Sequence, residues 1–136
     1  MDTPTRSLST YAASLTYSDL NDLAIHGVKR FLGDSMACAI GGFTSQPATI
    51  SRTIAREVSA ASPARILFSN ESTSPELAAF ANTVMIRYLD CNDIYRAKEG
   101  GHPSDTIGAV LAIADAARVA GTSTILGIAI AYEAFC

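Results

Sequence analysis

The segment Ser18-Asp19-Leu20-Asn21-Asp22-Leu23-Ala24-Ile25-His26-Gly27-Val28-Lys29-Arg30-Phe31-Leu32-Gly33-Asp34-Ser35-Met36-Ala37-Cys38-Ala39-Ile40-Gly41-Gly42 decides the fold class. Within it Leu20, Leu23, Ala24, Gly27, Val28, Phe31, Leu32, Ser35, Met36, Ala39 and Ile40 recur at i, i+3, i+4, i+7, the spacing of a helix with one buried face. Ser18 reads as its N-cap and Gly41-Gly42 as its stop. Asp19, Asn21, Asp22, Lys29 and Arg30 take the other side, with the acids in the first turn, where the helix dipole favours them. This is the pattern of a core helix.

Working outward, a weaker helix is expected from Pro47 to about Ser59, followed by a short strand over Ala64 to Ser69 and a polar loop from Asn70 to Ser74. Pro75 behind Ser74 opens a third helix through Ala78, Ala79, Val84, Met85 and Tyr88, ending near Asp90 to Asp93. Gly100-Gly101 breaks the chain. Pro103-Ser104-Asp105 then opens a helix with Ile107, Val110, Leu111, Ala114 and Ala117 on one face, closing at Gly121, and Ser123 caps a last helix from Thr124 that shows no stop before Cys136. The expected fold is therefore all-α, a multi-helix domain with at most one short strand pair near Ala64 to Ser69.

A chain of 136 residues can bury one ordinary core, yet 49% hydrophobic against 17% charged residues is apolar for a domain standing alone. Part of its surface is expected to face another domain or subunit. A net charge of -3 with scattered cations gives no basic stripe, so nucleic acid is not an expected partner. The longest apolar stretch, Ile125 to Phe135, carries Gly127 and Glu133 and falls short of the roughly 20 residues a membrane span needs. Residues Met1 to Asp19 lack an apolar signal core and make a poor transit peptide. A cytoplasmic location is the default expectation, with a mitochondrial one open for a eukaryotic source. Cys38, Cys91 and Cys136 are odd in number and form no C-x-x-C pair, the pattern of reduced structural thiols and not of an iron-sulfur cluster.

Chemistry concentrates in Tyr88-Leu89-Asp90-Cys91-Asn92-Asp93-Ile94-Tyr95-Arg96-Ala97-Lys98-Glu99-Gly100-Gly101-His102-Pro103-Ser104-Asp105, at the junction of two expected helices. His102 follows two glycines and precedes a proline and a helix start. A helix N-terminus beside it attracts carboxylates and favours a neutral imidazole, the form of a general base. Asp90 and Asp93 share a side if the helix extends that far, and two close carboxylates call for a cationic partner or a shared proton. Asp90, Asp93 and His102 are the candidate catalytic groups. Asn92, Tyr95, Lys98 and Ser104 are the candidate substrate-binding groups. Taken one at a time, Asp-x-x-Asp is also the pattern of a solvated helix end and a histidine before proline that of an ordinary loop, and the residues lack a zinc-ligand spacing. No metal site is expected.

Arg87 to Asp93, Ala97-Lys98-Glu99, Gly101 to Asp105 and Ile107-Gly108-Ala109 together resemble the signature of the MmgE/PrpD family. Lys29 to Asp34, Cys38 to Gly42, Thr73 to Glu76 and Ala131-Tyr132-Glu133 extend the resemblance, which runs from about Leu15 to the end. It implies an all-helical main domain, dimerisation, and elimination or decarboxylation of citrate-like acids without metal or organic cofactor. Asp90 and His102 match active-site positions of that family. Ser104-Asp105 is similar to the dehydratase branch, whereas glycine tends to follow the serine in the cis-aconitate decarboxylase branch. Ile94 departs from the usual threonine.

The expectation is thus an N-terminal arm over residues 1–14 and a partial helical domain over 15–136 without the family's C-terminal lid domain. Its expected chemistry is dehydration of 2-methylcitrate or a similar β-hydroxy tricarboxylate, with the chain inactive alone for want of cations. A cis-aconitate decarboxylase-like lyase and a non-catalytic helical fragment or pseudoenzyme, serving as an interaction or dimerisation module, are the alternatives.

Overall fold

In the computed structural model, which describes residues 2–136, the long helix α2 runs Asp22–Gly42 and is capped by Asn21, whose Oδ1 accepts the Ala24 N–H at 2.9 Å. The expected cap, Ser18, lies instead in a single 3-10 turn, Tyr17–Asp19. The reason is local: the Asp19 carboxylate reaches back to the Thr16 N–H at 2.8 Å and closes that turn as a capping box, and Leu20 then leaves in an extended conformation. The long helix nucleates one step later. Ahead of this turn, α1 (Thr3–Ser14) is capped by Asp2 and buries none of its residues.

Helix α3 (Gln46–Arg56) is capped by Ser45 and ends three residues before the expected Ser59. The expected strand shrinks to β1 (Ala64–Arg65), paired antiparallel with β2 (Ser72–Thr73). It stops because the Leu67 N–H is taken by the Asn82 side chain at 2.9 Å and Phe68 turns left-handed at φ 59°. Helix α4 (Pro75–Arg87) starts behind Ser74 as the sequence indicates. A second two-residue pair, β3 (Tyr95–Arg96) with β4 (Gly100–Gly101), goes beyond the single pair expected.

Pro103–Thr106 form a 3-10 turn that runs into α5 (Ile107–Ala116). The last helix, α6 (Gly121–Phe135), starts behind Ala120, two residues before the expected cap Ser123. Arg118 explains the shift: at φ 52°, with its N–H on the Asp115 carbonyl, it ends α5 in the left-handed conformation usually given to glycine. Gly121 is then free to open α6. The fold among the described residues is mostly helical, six α-helices with two short strand pairs.

Helix α4 is the axis of the core, burying Ala78, Ala81, Met85 and Ile86 against α2, α3 and α5. Ile66, Ile107 and Ile128 join Ala81, Met85 and Ile86 in the main cluster, each fully buried large side chain stabilising the fold by about 1.5–3 kcal/mol. Small residues set the helix spacing. A Cβ on Gly108 of α5 would strike the Thr83 hydroxyl and backbone nitrogen of α4, and one on Gly42 of α2 would strike the Met85 carbonyl. The end of α2 is pinned by buried Arg52, which donates to the Phe43 carbonyl at 2.6 Å with its guanidinium 4.0 Å from the Phe43 ring centroid. Among the described residues no helix is long and apolar enough to cross a membrane.

Candidate functional site

Three elements meet where α4 ends. Arg87 is its last residue, Tyr88 follows as the C-cap, and Asp90 turns left-handed at φ 53°, a conformation aspartate tolerates better than most side chains. That turn folds the Asp90 carboxylate back onto the Arg87 guanidinium. Helix α4 does not extend to Asp90 and Asp93, so the two carboxylates do not share a helix face. Asp90 stays exposed, and Arg87 beside it holds its carboxyl below the usual carboxylate range, first through the hydrogen bond and then through charge.

Arg87 is also shared. Its Nη2 lies 3.1 Å from His102 Nε2, its Nη1 lies 3.5 Å from Asn92 Oδ1, and its Nε is 3.8 Å from the Asp105 carboxylate. On the other side of the ring, His102 Nδ1 bonds the Asp93 backbone carbonyl at 2.5 Å. A carbonyl oxygen only accepts and a guanidinium only donates. These partners fix His102 as the neutral Nδ1–H tautomer, with its Nε2 lone pair on Arg87. Neither aspartate carboxylate bonds the imidazole: Asp90 reaches it through Arg87 and Asp93 through its backbone.

The Asp93 carboxylate holds the loop to two helices. Its Oδ1 accepts the Ser104 N–H at 3.1 Å, at the start of the 3-10 turn before α5, and its Oδ2 accepts the Tyr132 hydroxyl of α6 at 2.7 Å. Burial, followed by that hydrogen bond and the Asp93 charge, pushes the Tyr132 phenol far above its usual range, so it remains a neutral donor. The Tyr132 ring stacks on Phe31 of α2 at 4.9 Å between centroids. Beside Asp93, Lys29, Arg30, Phe31, Gly33 and Asp34 line an open depression of about 440 Å³.

The remaining candidates divide. Asn92 and Ser104 are buried and bonded to each other at 2.8 Å, and the Asn92 amide also donates to Asp105 at 3.2 Å. Tyr95 is half-buried in β3. Lys98 is exposed in the turn between β3 and β4, where the Ala97 N–H donates to the Glu99 carbonyl, and it joins no hydrogen bond or ion pair of the Arg87 cluster. His102 follows Gly101 directly, where any Cβ would collide with the Phe135 ring of α6. Arg87, Asp105 and Tyr132 are not among the candidate site groups chosen from the sequence. Arg87 ends the helix three positions before Asp90, a spacing that marks it as a partner. Tyr132 carries no such signal, since it lies 39 residues from Asp93.

Among the described residues no cluster of three or more His, Cys, Asp or Glu side chains is placed to hold a metal ion. Cys38, Cys91 and Cys136 are free thiols, and burial, with nearby Asp34, pushes Cys38 above its usual range.

The model of the MmgE/PrpD N-terminal domain matches residues 6–136. A Saccharomyces cerevisiae protein named "Probable 2-methylcitrate dehydratase" is 33% identical over 96 residues, 70% of this chain and 19% of that protein. The 2-methylcitrate dehydratase of Salmonella typhimurium is 48% identical over 52 residues, 38% of this chain and 11% of that protein. A fungal alkylcitrate dehydratase is 50% identical over 42 residues, 31% of this chain and 8% of that protein. The chain thus spans less than a fifth of the length of these relatives. A mostly helical fold, carrying the polar cluster at the end of α4, and a match over nearly the whole sequence place the chain in the MmgE/PrpD family, as its N-terminal domain.

Proposed function

We propose that the chain supplies part of a hydro-lyase site for 2-methylcitrate or a similar β-hydroxy tricarboxylate. The observation that carries this reading is His102: a neutral imidazole whose Nε2 lone pair faces a guanidinium at the mouth of an open cluster. Dehydration needs a base for the C–H proton. Nε2 can take it, the C–H electron pair becomes the new double bond, and the departing hydroxyl leaves as water on receiving a proton, which the imidazolium formed can return. Arg87 is the cation closest to the base, and Lys29 and Arg30 lie across the depression beside Asp93, where they can hold further carboxylates. Asp90 is charged at neutral pH and serves to anchor Arg87, not to donate a proton. The reading calls on no cofactor.

The names of the relatives support the same reaction class, since those quoted are dehydratases of 2-methylcitrate or an alkylcitrate. In a polypeptide that carries this domain and turns over 2-methylcitrate, His102→Ala should lower kcat by about 10²- to 10⁴-fold, the usual worth of a positioned general base. The urea midpoint should fall only modestly, by about 1 kcal/mol of stability, because His102 is half-buried and its bond to the Asp93 carbonyl is lost. Full activity in that variant removes the assignment. The 136-residue chain by itself should show no turnover, because its site is open to water.

A second reading, an interaction or dimerisation module in the cytoplasm, is favoured by an apolar groove of about 420 Å³ along α5 and α6, lined by Val110, Ile113, Val119 and Gly127 among others. Ile113 in it is 60% exposed. Sedimentation showing a monomer at high concentration counts against that reading.

A further inference from the structure

Arg87 occupies an unusual place: one guanidinium, about a third exposed, touches the proposed base, two carboxylates and a buried amide at once. We infer that Arg87 is a positioning residue that caps the Nε2 lone pair of His102 and gives it up when a carboxylate-bearing ligand draws the guanidinium away. The second half of this statement rests on the tricarboxylate reading above, while the first half does not.

The argument is one of donors and acceptors. Nε2 is an acceptor with a single lone pair, and a base engaged by a donor is not free to take a proton. Arginine prefers a carboxylate to an imidazole, because two parallel N–H···O bonds to an anion are stronger than one bond to a neutral nitrogen. Of the two carboxylates already present, Asp105 stands off at 3.8 Å from Nε, and Asp90, though bonded to Nη1, sits exposed on a turn where solvent screens the pair. A ligand carboxylate entering at this exposed edge competes for the same fork. His102 itself does not move, since its Nδ1–H is bonded to the Asp93 carbonyl and the Asp93 side chain is bonded to both Ser104 and Tyr132. Release of Nε2 therefore needs only a side-chain rotation of Arg87.

The test uses the whole chain uniformly labelled with ¹⁵N, whose two histidines include exposed His26 as an internal reference. In the ligand-free wild type above neutral pH, His102 should carry its proton on Nδ1, with the Nε2 resonance displaced toward that of a hydrogen-bonded nitrogen. Arg87→Met should move Nε2 to the position of an unbonded imine nitrogen while Nδ1 keeps its proton. Citrate at saturating concentration should move the wild-type Nε2 the same way and leave the variant's Nε2 unchanged. A wild-type His102 protonated on Nε2 overturns the capping without recourse to any variant, so a misfolded Arg87→Met does not shelter it. An Nε2 that is the same in a folded Arg87→Met also overturns it. Citrate that perturbs Lys29, Arg30 or Arg87 signals but not Nε2 overturns the release alone. Citrate that perturbs nothing defeats both the release and the tricarboxylate reading, while the capping is still judged by the wild-type tautomer.

Discussion

The seam between α4 and α5 and the polar cluster at the end of α4 share one helix, yet they are built on opposite terms. In the seam, Gly108 lets α5 approach Thr83 and Ala79 of α4 so closely that a Cβ would strike the Thr83 hydroxyl and backbone nitrogen, beside a closed apolar core. In the cluster the chain turns at Asp90 and leaves its carboxylate exposed, and the contacts are hydrogen bonds, several of them between side chains 12 to 39 residues apart in sequence. The difference teaches where substitution is felt. The seam has no room to relax and carries stability, whereas the cluster has solvent on one side and is where the proposed chemistry sits.

The largest effect is therefore expected in the seam. Gly108→Val should destabilise the chain by about 2–3 kcal/mol, as overpacking against the Thr83 backbone forces the helices apart, read as a fall in the urea midpoint at unchanged slope. A shift below about 0.5 kcal/mol would show the seam to be looser than described. Next comes Tyr132→Phe, which removes the one hydrogen bond tying α6 to Asp93 and should cost about 1.5 kcal/mol, the lower end for a bond to a charged acceptor. Its pH dependence sharpens the comparison. The phenol is raised in the folded chain, so its contribution is complete below the ordinary value of 10.0 and falls away as pH rises beyond it. Wild-type stability should drop above about pH 10 more steeply than that of the phenylalanine variant, and parallel curves refute the assignment.

The smallest effect belongs to Asp90→Asn. Its carboxyl is lowered in the folded chain, so any stability it lends is present above the ordinary value of 3.8 and lost as pH falls through the folded value, but the group is fully exposed. No change in the urea midpoint is expected at neutral pH, while the Arg87 side chain should gain mobility on the nanosecond scale, measurable by relaxation of its Nε–H. A marked loss of stability would move Asp90 from the second region into the first.

Much of the fold was legible because its signals are local. The apolar period of α2, the Ser74-Pro75 start of α4 and the run from Ile107 to Ala117 each lie within one element, and helix periodicity needs no knowledge of the rest of the chain. Boundaries were less legible because neighbouring caps compete. Ser18 lost to Asn21 when Asp19 closed its own turn on Thr16, and Gly121, read as a stop, became a start once Arg118 had already turned the chain. The candidate site was legible as a stretch, Tyr88 to Asp105, but not as an arrangement. Lys98 lies in that stretch and points its charge into an exposed turn, while Tyr132 lies far outside it and is bonded to its centre.

By itself, then, the sequence determined the helices, the family to which they belong and the loop that gathers polar groups, because periodicity, capping and a contiguous signature are written in adjacent residues. Only the tertiary structure decided that Arg87 and not an aspartate faces the His102 lone pair, and that the Asp93 carboxylate holds Ser104 and Tyr132 in place. The physical reason is that hydrogen-bond partners are chosen by distance and direction in space, and those are set by how closely Gly42 and Gly108 let the helices pack around α4.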